Sequence, residues 1–92
     1  MQARRAVDRK KAAEVFFGQA LRERRKEQGI TQEELAFQSG YHPTYIGQLE
    51  RGAKNPSLRT ILGLAAVLNT PGSELVRRVE SLLSEQGREH SI

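Results

Sequence analysis

Few residues of this chain have the types and spacing for covalent chemistry. Glu33 and Glu34 are neighbours on a helical stretch and point about 100° apart, a poor geometry for an acid/base pair. His42 and His90 are widely separated and no cysteine accompanies them, so neither a metal site nor a cofactor is expected. No glycine-rich phosphate loop or nucleophile elbow occurs, and no enzymatic activity is expected. What remains suits recognition. His42, Pro43, Thr44, Tyr45 and Gln48 crowd the front of one short segment, where Glu and Lys would be ordinary. Thr44 and Gln48 lie one helical turn apart on one face. A carboxamide presents a donor and an acceptor side by side, and a Thr methyl presents shape.

The elements that must carry these residues are helical. Strand alternation is absent and β-branched residues are few, whereas helical periodicity recurs. A first helix is expected from Ala12 to Gln28, with Phe17, Leu21 and Arg25 on one face and Phe16 and Ala20 beside them. Gly29 suits its C′ position. Thr31 and Glu34 form a capping box for a second helix from Gln32 to Gln38, with Leu35 and Ala36 inward and Gly40 at its end. Pro43 suits the first turn of a third helix, Pro43 to Arg51, with Ile46 and Leu49 inward. Gly52 stops it and Asn55-Pro56 turns the chain. Ser57 caps a fourth helix carrying Ile61, Leu62, Leu64, Ala65 and Leu68. A fifth is expected from Ser73 to Glu85, with Leu75, Val76, Val79, Leu82 and Leu83.

The 92 residues allow one domain with a small core, at 37% hydrophobic content. Without cysteine, disulfides are excluded and a reducing compartment is the simplest reading. No apolar run approaches a membrane span and the charged N-terminus lacks a signal-peptide core, so a cytoplasmic, nucleoid-associated protein with no membrane partner is expected. The formal charge is +4. Residues 1–11 hold Arg4, Arg5, Arg9, Lys10 and Lys11 against Asp8 alone, and the remaining basic and acidic residues cancel. These residues read as a basic flexible arm, residues 12–86 as the domain and residues 87–92 as a frayed tail. Arg51, Lys54 and Arg59 follow Glu50 with no acid among them, a local cationic patch.

The spacing from Gln32 to Arg51 has a physical logic. Two helices crossing at roughly 90–120° need a small residue at their contact, a glycine at the turn and a branched apolar residue where the second docks. Ala36, Gly40 and Ile46 supply these. With its flanks, RKEQGITQEELA, the Gly40 turn, YIGQLERG and NPSLRTILGLAAVL, the chain resembles the phage-repressor/Cro (XRE-type) helix-turn-helix family from Phe17 to Leu75. Within it, TYIGQLERG is similar to the controllers of restriction–modification systems and the regulators of mobile elements. The resemblance implies an all-α, five-helix, lambda-repressor-like DNA-binding domain.

It also implies a sequence-specific regulator of transcription, a repressor or controller, whose partner is double-stranded DNA. The third helix would lie in the major groove with its N-terminal residues at base edges. Matched position by position, base contacts fall on Pro43, Thr44, Gly47 and Gln48, Pro43 replacing the family's usual polar residue with an apolar one. Gln48 can pair with adenine N6 and N7, Thr44 can pack on a thymine methyl, and Gly47 would leave room for close approach. Gln32, at a helix N-terminus that favours an anion, Tyr45, Arg51, Lys54 and Asn55 are expected at phosphates or nearby, with His42 either there or simply on the surface. The basic arm either tracks phosphates or has no role.

Arg25 falls on an apolar face, where a lone charge is unfavourable, and the resemblance pairs it with Glu50 as a structural ion pair. Arg22, Arg24 and Lys26 interleave with Glu23 and Glu27 as a solvated face. Phe37 is expected to pack on Phe16. Leu75 belongs to the core, and Val76, Val79, Leu82 and Leu83 continue as a stripe for a homodimer on a palindromic operator. The competing expectation is that the fifth helix simply covers the first around Phe16. A second functional class, an antitoxin or anti-activator neutralising an unidentified protein partner, shares the fold.

Overall fold

A computed structural model describes the backbone of residues 2–90 and the side chains of residues 11–87. Among the described residues the chain forms five helices and no strand: α1 (Gln2–Glu27), α2 (Gln32–Ser39), α3 (Pro43–Glu50), α4 (Leu58–Val67) and α5 (Gly72–His90). None is long and apolar enough to cross a membrane.

Local chemistry sets most of the ends. Thr31 and Glu34 form the reciprocal capping box, Glu34 N–H donating to Thr31 Oγ1 at 3.0 Å and Thr31 N–H to Glu34 Oε1 at 2.7 Å. Gly40 closes α2 in the left-handed region at φ 80°. Ser57 caps α4 by accepting from the Thr60 N–H. Two ends differ from expectation. α1 begins at Gln2 rather than near Ala12. The preceding Ala, Arg, Lys and Gln residues are good helix formers, and neither Gly nor Pro interrupts them before Gly18. The backbone of the expected arm is therefore helical, while the side chains of residues 1–10, and the arm's role with them, lie outside the described residues. α5 likewise runs through Gly87 to His90.

Leu21, Leu35, Ile46, Leu49, Leu64 and Leu68 are fully buried and come from the first four helices and the end of α4. α5 packs antiparallel on α1, Arg78 meeting Glu23 while Gln86 shares a cleft with Lys11 and Phe16. Leu75, Val79 and Leu82 are buried. Of the four residues expected in a dimer stripe, Val79 and Leu82 are buried within the single chain, and Val76 and Leu83 stay exposed. Leu58 and Leu62 are also exposed, whereas Leu64 and Ala65 on α4 are buried.

Candidate nucleic-acid interface

α3 begins on a cap that its sequence does not advertise. His42 is the N-cap residue, and its Nδ1 accepts the Thr44 N–H at 3.1 Å. Histidine ranks below Ser, Thr, Asp and Asn as a cap, so composition conceals the role. Pro43 follows at N1, as its missing N–H allows. Tyr45 is half-buried and its ring lies 5.1 Å from that of Tyr41, whose hydroxyl meets Thr60 Oγ1 at 3.0 Å. The Tyr45 ring thus braces the helix from the side.

The outer face of α3 carries Thr44, Gln48 and Arg51 in one row, Thr44 and Arg51 exposed and Gln48 half-buried, with exposed His42 and half-buried Pro43 at its front. Lys54 and Asn55 are exposed on the loop that follows. Gly47 lies within the row but is buried. A methyl group there would stand 3.2 Å from Arg51 Nη1 and 3.8 Å from Gln32 Oε1. Gly47 therefore lacks the open space expected of it, because the Arg51 side chain folds back one turn and covers it.

Behind that row the helix is anchored on α1. Arg25 Nε and Nη2 donate to Glu50 Oε2 and Oε1 at 2.6 and 3.0 Å, a bidentate pair. Arg25 Nη1 also donates to the Ile30 carbonyl at 2.9 Å, and Gln32 Nε2 to Glu50 Oε1 at 3.0 Å. The adjoining carboxylate raises the pKa of the Arg25 guanidinium. Gln32 stands where expected, at the start of α2, yet its amide donors turn inward to Glu50. Two glycines make the docking possible. A methyl on Gly18 would collide with the backbone carbonyl oxygens of Leu49 and Glu50, and one on Gly52 would lie 2.8 Å from Val15 Cα. The role of Gly18 was missed, because nothing local marks a mid-helix glycine as a contact point.

The expected solvated face of α1 is only partly solvated. Arg24 Nε and Nη2 donate to the carbonyls of Leu68 and Asn69, both at 2.9 Å, so a cation caps the C-terminal end of α4. Arg78 donates to both carboxylate oxygens of Glu23 at 2.9 and 3.1 Å, and this holds the Glu23 carboxyl below its ordinary value. Phe37 is exposed and does not pack on Phe16, which turns instead into the cleft beside Val15 and Gln86.

The helix-turn-helix family model matches residues 21–75. Control protein C.SmaI of Serratia marcescens is 43% identical over 67 residues, 73% of this chain and 79% of that protein. Control protein C.BamHI of Bacillus amyloliquefaciens is 36% identical over 63 residues, 67% of this chain and 78% of that protein. The restriction–modification controller protein C.AhdI of Aeromonas hydrophila superposes with a TM-score of 0.69 at 49% identity, over 71% of this chain and 94% of that one. The chain thus belongs to the XRE-type helix-turn-helix family of DNA-binding transcriptional regulators.

Proposed function

We propose that this protein is a sequence-specific controller or repressor that binds a palindromic operator as a homodimer, in the cytoplasm and on the nucleoid. The observation that carries the reading is the outward row of exposed Thr44 and half-buried Gln48 on a helix whose rear is locked to α1. A rigidly held row of short polar side chains can enter a major groove and meet base edges. Pro43 adds apolar contact at the front. Tyr45, His42, Arg51, Lys54, Asn55 and the start of α2 at Gln32 meet the flanking backbone. The similarity to restriction–modification control proteins supports the controller reading. The retained polar front of α3 weighs against a module that only neutralises a protein partner.

One such helix spans few base pairs, so two copies are needed to define a site. The surface for pairing is smaller than the expected stripe and extends onto α4. A methyl on Gly72 would lie 2.7 Å from Leu62 Cδ2, so the start of α5 meets Leu62. Val76 and Leu83 continue along the same face of α5, and Leu58 stands one turn from Leu62 on α4. These four exposed apolar residues are the surface proposed to pack on its own copy. Affinity for duplex DNA is expected to fall linearly with log salt, by about 0.9 per phosphate contact. Val76→Glu with Leu83→Glu is expected to leave a folded monomer of weak operator affinity. A wild type that shows no salt slope sinks the DNA reading, and one that sediments as a monomer both free and on operator sinks the dimer.

A further inference from the structure

We propose that His42 is a proton-sensitive cap: its neutral ring sets the start of the reading helix, and protonation of Nδ1 releases it. The consequence for operator binding rests on the DNA-binding reading; the cap itself does not. A helix starts with N–H groups that have no partner within it. In α3 Pro43 removes one, and the His42 carbonyl accepts those of Tyr45 and Ile46 at 3.0 and 3.3 Å. The Thr44 N–H is left to a side chain, and His42 Nδ1 accepts it at 3.1 Å. That bond requires a bare Nδ1, so the hydrogen of the neutral ring sits on Nε2, which can still donate to a phosphate oxygen. Ser, Thr and Asn, the usual caps, take up no proton near neutral pH; histidine does.

An imidazolium carries hydrogen on both nitrogens and accepts nothing. Protonation therefore sets two N–H groups against each other, and a cation against the positive end of the helix dipole. The ionisable residues on the elements around the turn are Glu33 and Glu34 on α2, Tyr41 before the cap, Tyr45 and Glu50 on α3, and Arg59 on α4. Thr31 engages Glu34, and Arg25 and Gln32 engage Glu50. Among the described residues no carboxylate forms a salt bridge with His42. Neither a phenol nor a guanidinium titrates near neutral pH. Release leaves Thr44, at the front of the reading row, on an unpinned first turn. A ring that has swung from its seat does not hold its new charge against the DNA backbone, so loss of the cap is the larger effect.

The test compares the wild type with His42→Asn, whose side-chain oxygen caps without titrating. In the free proteins the ring-nitrogen NMR shifts and the Thr44 amide signal are followed from about pH 8 to about pH 5.5, across the histidine range. The wild-type ring is expected to have a bare Nδ1 at the upper end, and the Thr44 amide to move with it as it protonates. In His42→Asn that amide is expected to stay still. Over the same range, wild-type affinity for a duplex selected from a random pool is expected to fall about threefold to tenfold further than that of His42→Asn. His90, the other histidine, is common to both proteins and cancels. A hydrogen on Nδ1 of the neutral ring, or a Thr44 amide that ignores the ring, overturns the cap. Wild-type affinity that holds or rises on acidification, relative to His42→Asn, overturns the control of binding and makes His42 a phosphate-facing cation. A wild type that binds no duplex removes the DNA reading and that control together, while the amide titration still decides the cap.

Discussion

Two ion pairs leave α1 from positions two residues apart, and they do different work. Arg25–Glu50 ties α1 to the reading helix α3; Arg78–Glu23 ties it to α5. Both are bidentate and of similar length. Their surroundings differ: side-chain exposure is 11% and 3% in the first pair, against 40% and 40% in the second. The buried pair is completed by Ile30 and Gln32, so its charges have several protein partners and little exposure to solvent. The exposed pair shares its charges with solvent, which screens them. The lesson is that contact geometry alone does not rank the pairs. Burial makes one an obligatory anchor of the recognition helix and leaves the other a minor brace.

The sharpest way to break that comparison is to strand a charge. Arg25→Met or Glu50→Leu alone is expected to destabilise the fold by about 3–5 kcal/mol, because the remaining ion is buried without its counter-ion. The double replacement should recover much of the loss, since two apolar groups need no pairing. Thermal melts of the singles and the double read this directly, and strictly additive losses would mean the two residues do not act as a pair.

A substitution on the opposite face of α3 sharpens the contrast from the other side. Gln48→Ala is expected to weaken binding to the preferred operator by about 1–3 kcal/mol, with much less effect on unrelated DNA and little on melting. Equal losses on both duplexes would instead place Gln48 at a phosphate.

The smallest effect belongs to the exposed pair. Glu23→Gln is expected to cost about 0.2–1 kcal/mol at neutral pH. The hydrogen-bonded Arg78 guanidinium depresses the Glu23 carboxyl below its ordinary value in the folded state. Its stabilisation is therefore fully present above the unfolded value and is lost as pH falls through the folded one. Melting curves of wild type and Glu23→Gln should converge at acid pH. A gap that persists there, well below the ordinary carboxylate range, would rule out a charge-based contribution.

What could be read from the sequence was the chemistry that acts within a turn or two of the chain. Thr31 with Glu34, Ser57, Gly40 and Pro43 specify helix ends through bonds spanning at most five residues, and such bonds form wherever the chain places those residues. The spacing of Ala36, Gly40 and Ile46 belongs to the same scale, so the two-helix motif and its front of Thr44 and Gln48 were legible. Tertiary structure decided what depends on residues far apart in the chain. Val79 and Leu82 have the pattern of a free apolar stripe, and only the presence of α1 alongside them makes them core. Arg24 resembles any surface arginine until the end of α4, 44 residues on, presents its carbonyls. Gly47 looks open until Arg51 and Gln32 close over it, and Gly18 looks incidental until the end of α3 lies against it. Periodicity states that a face is apolar or a position is small; which partner meets it is set when the helices pack, because that partner is supplied by another segment of the chain.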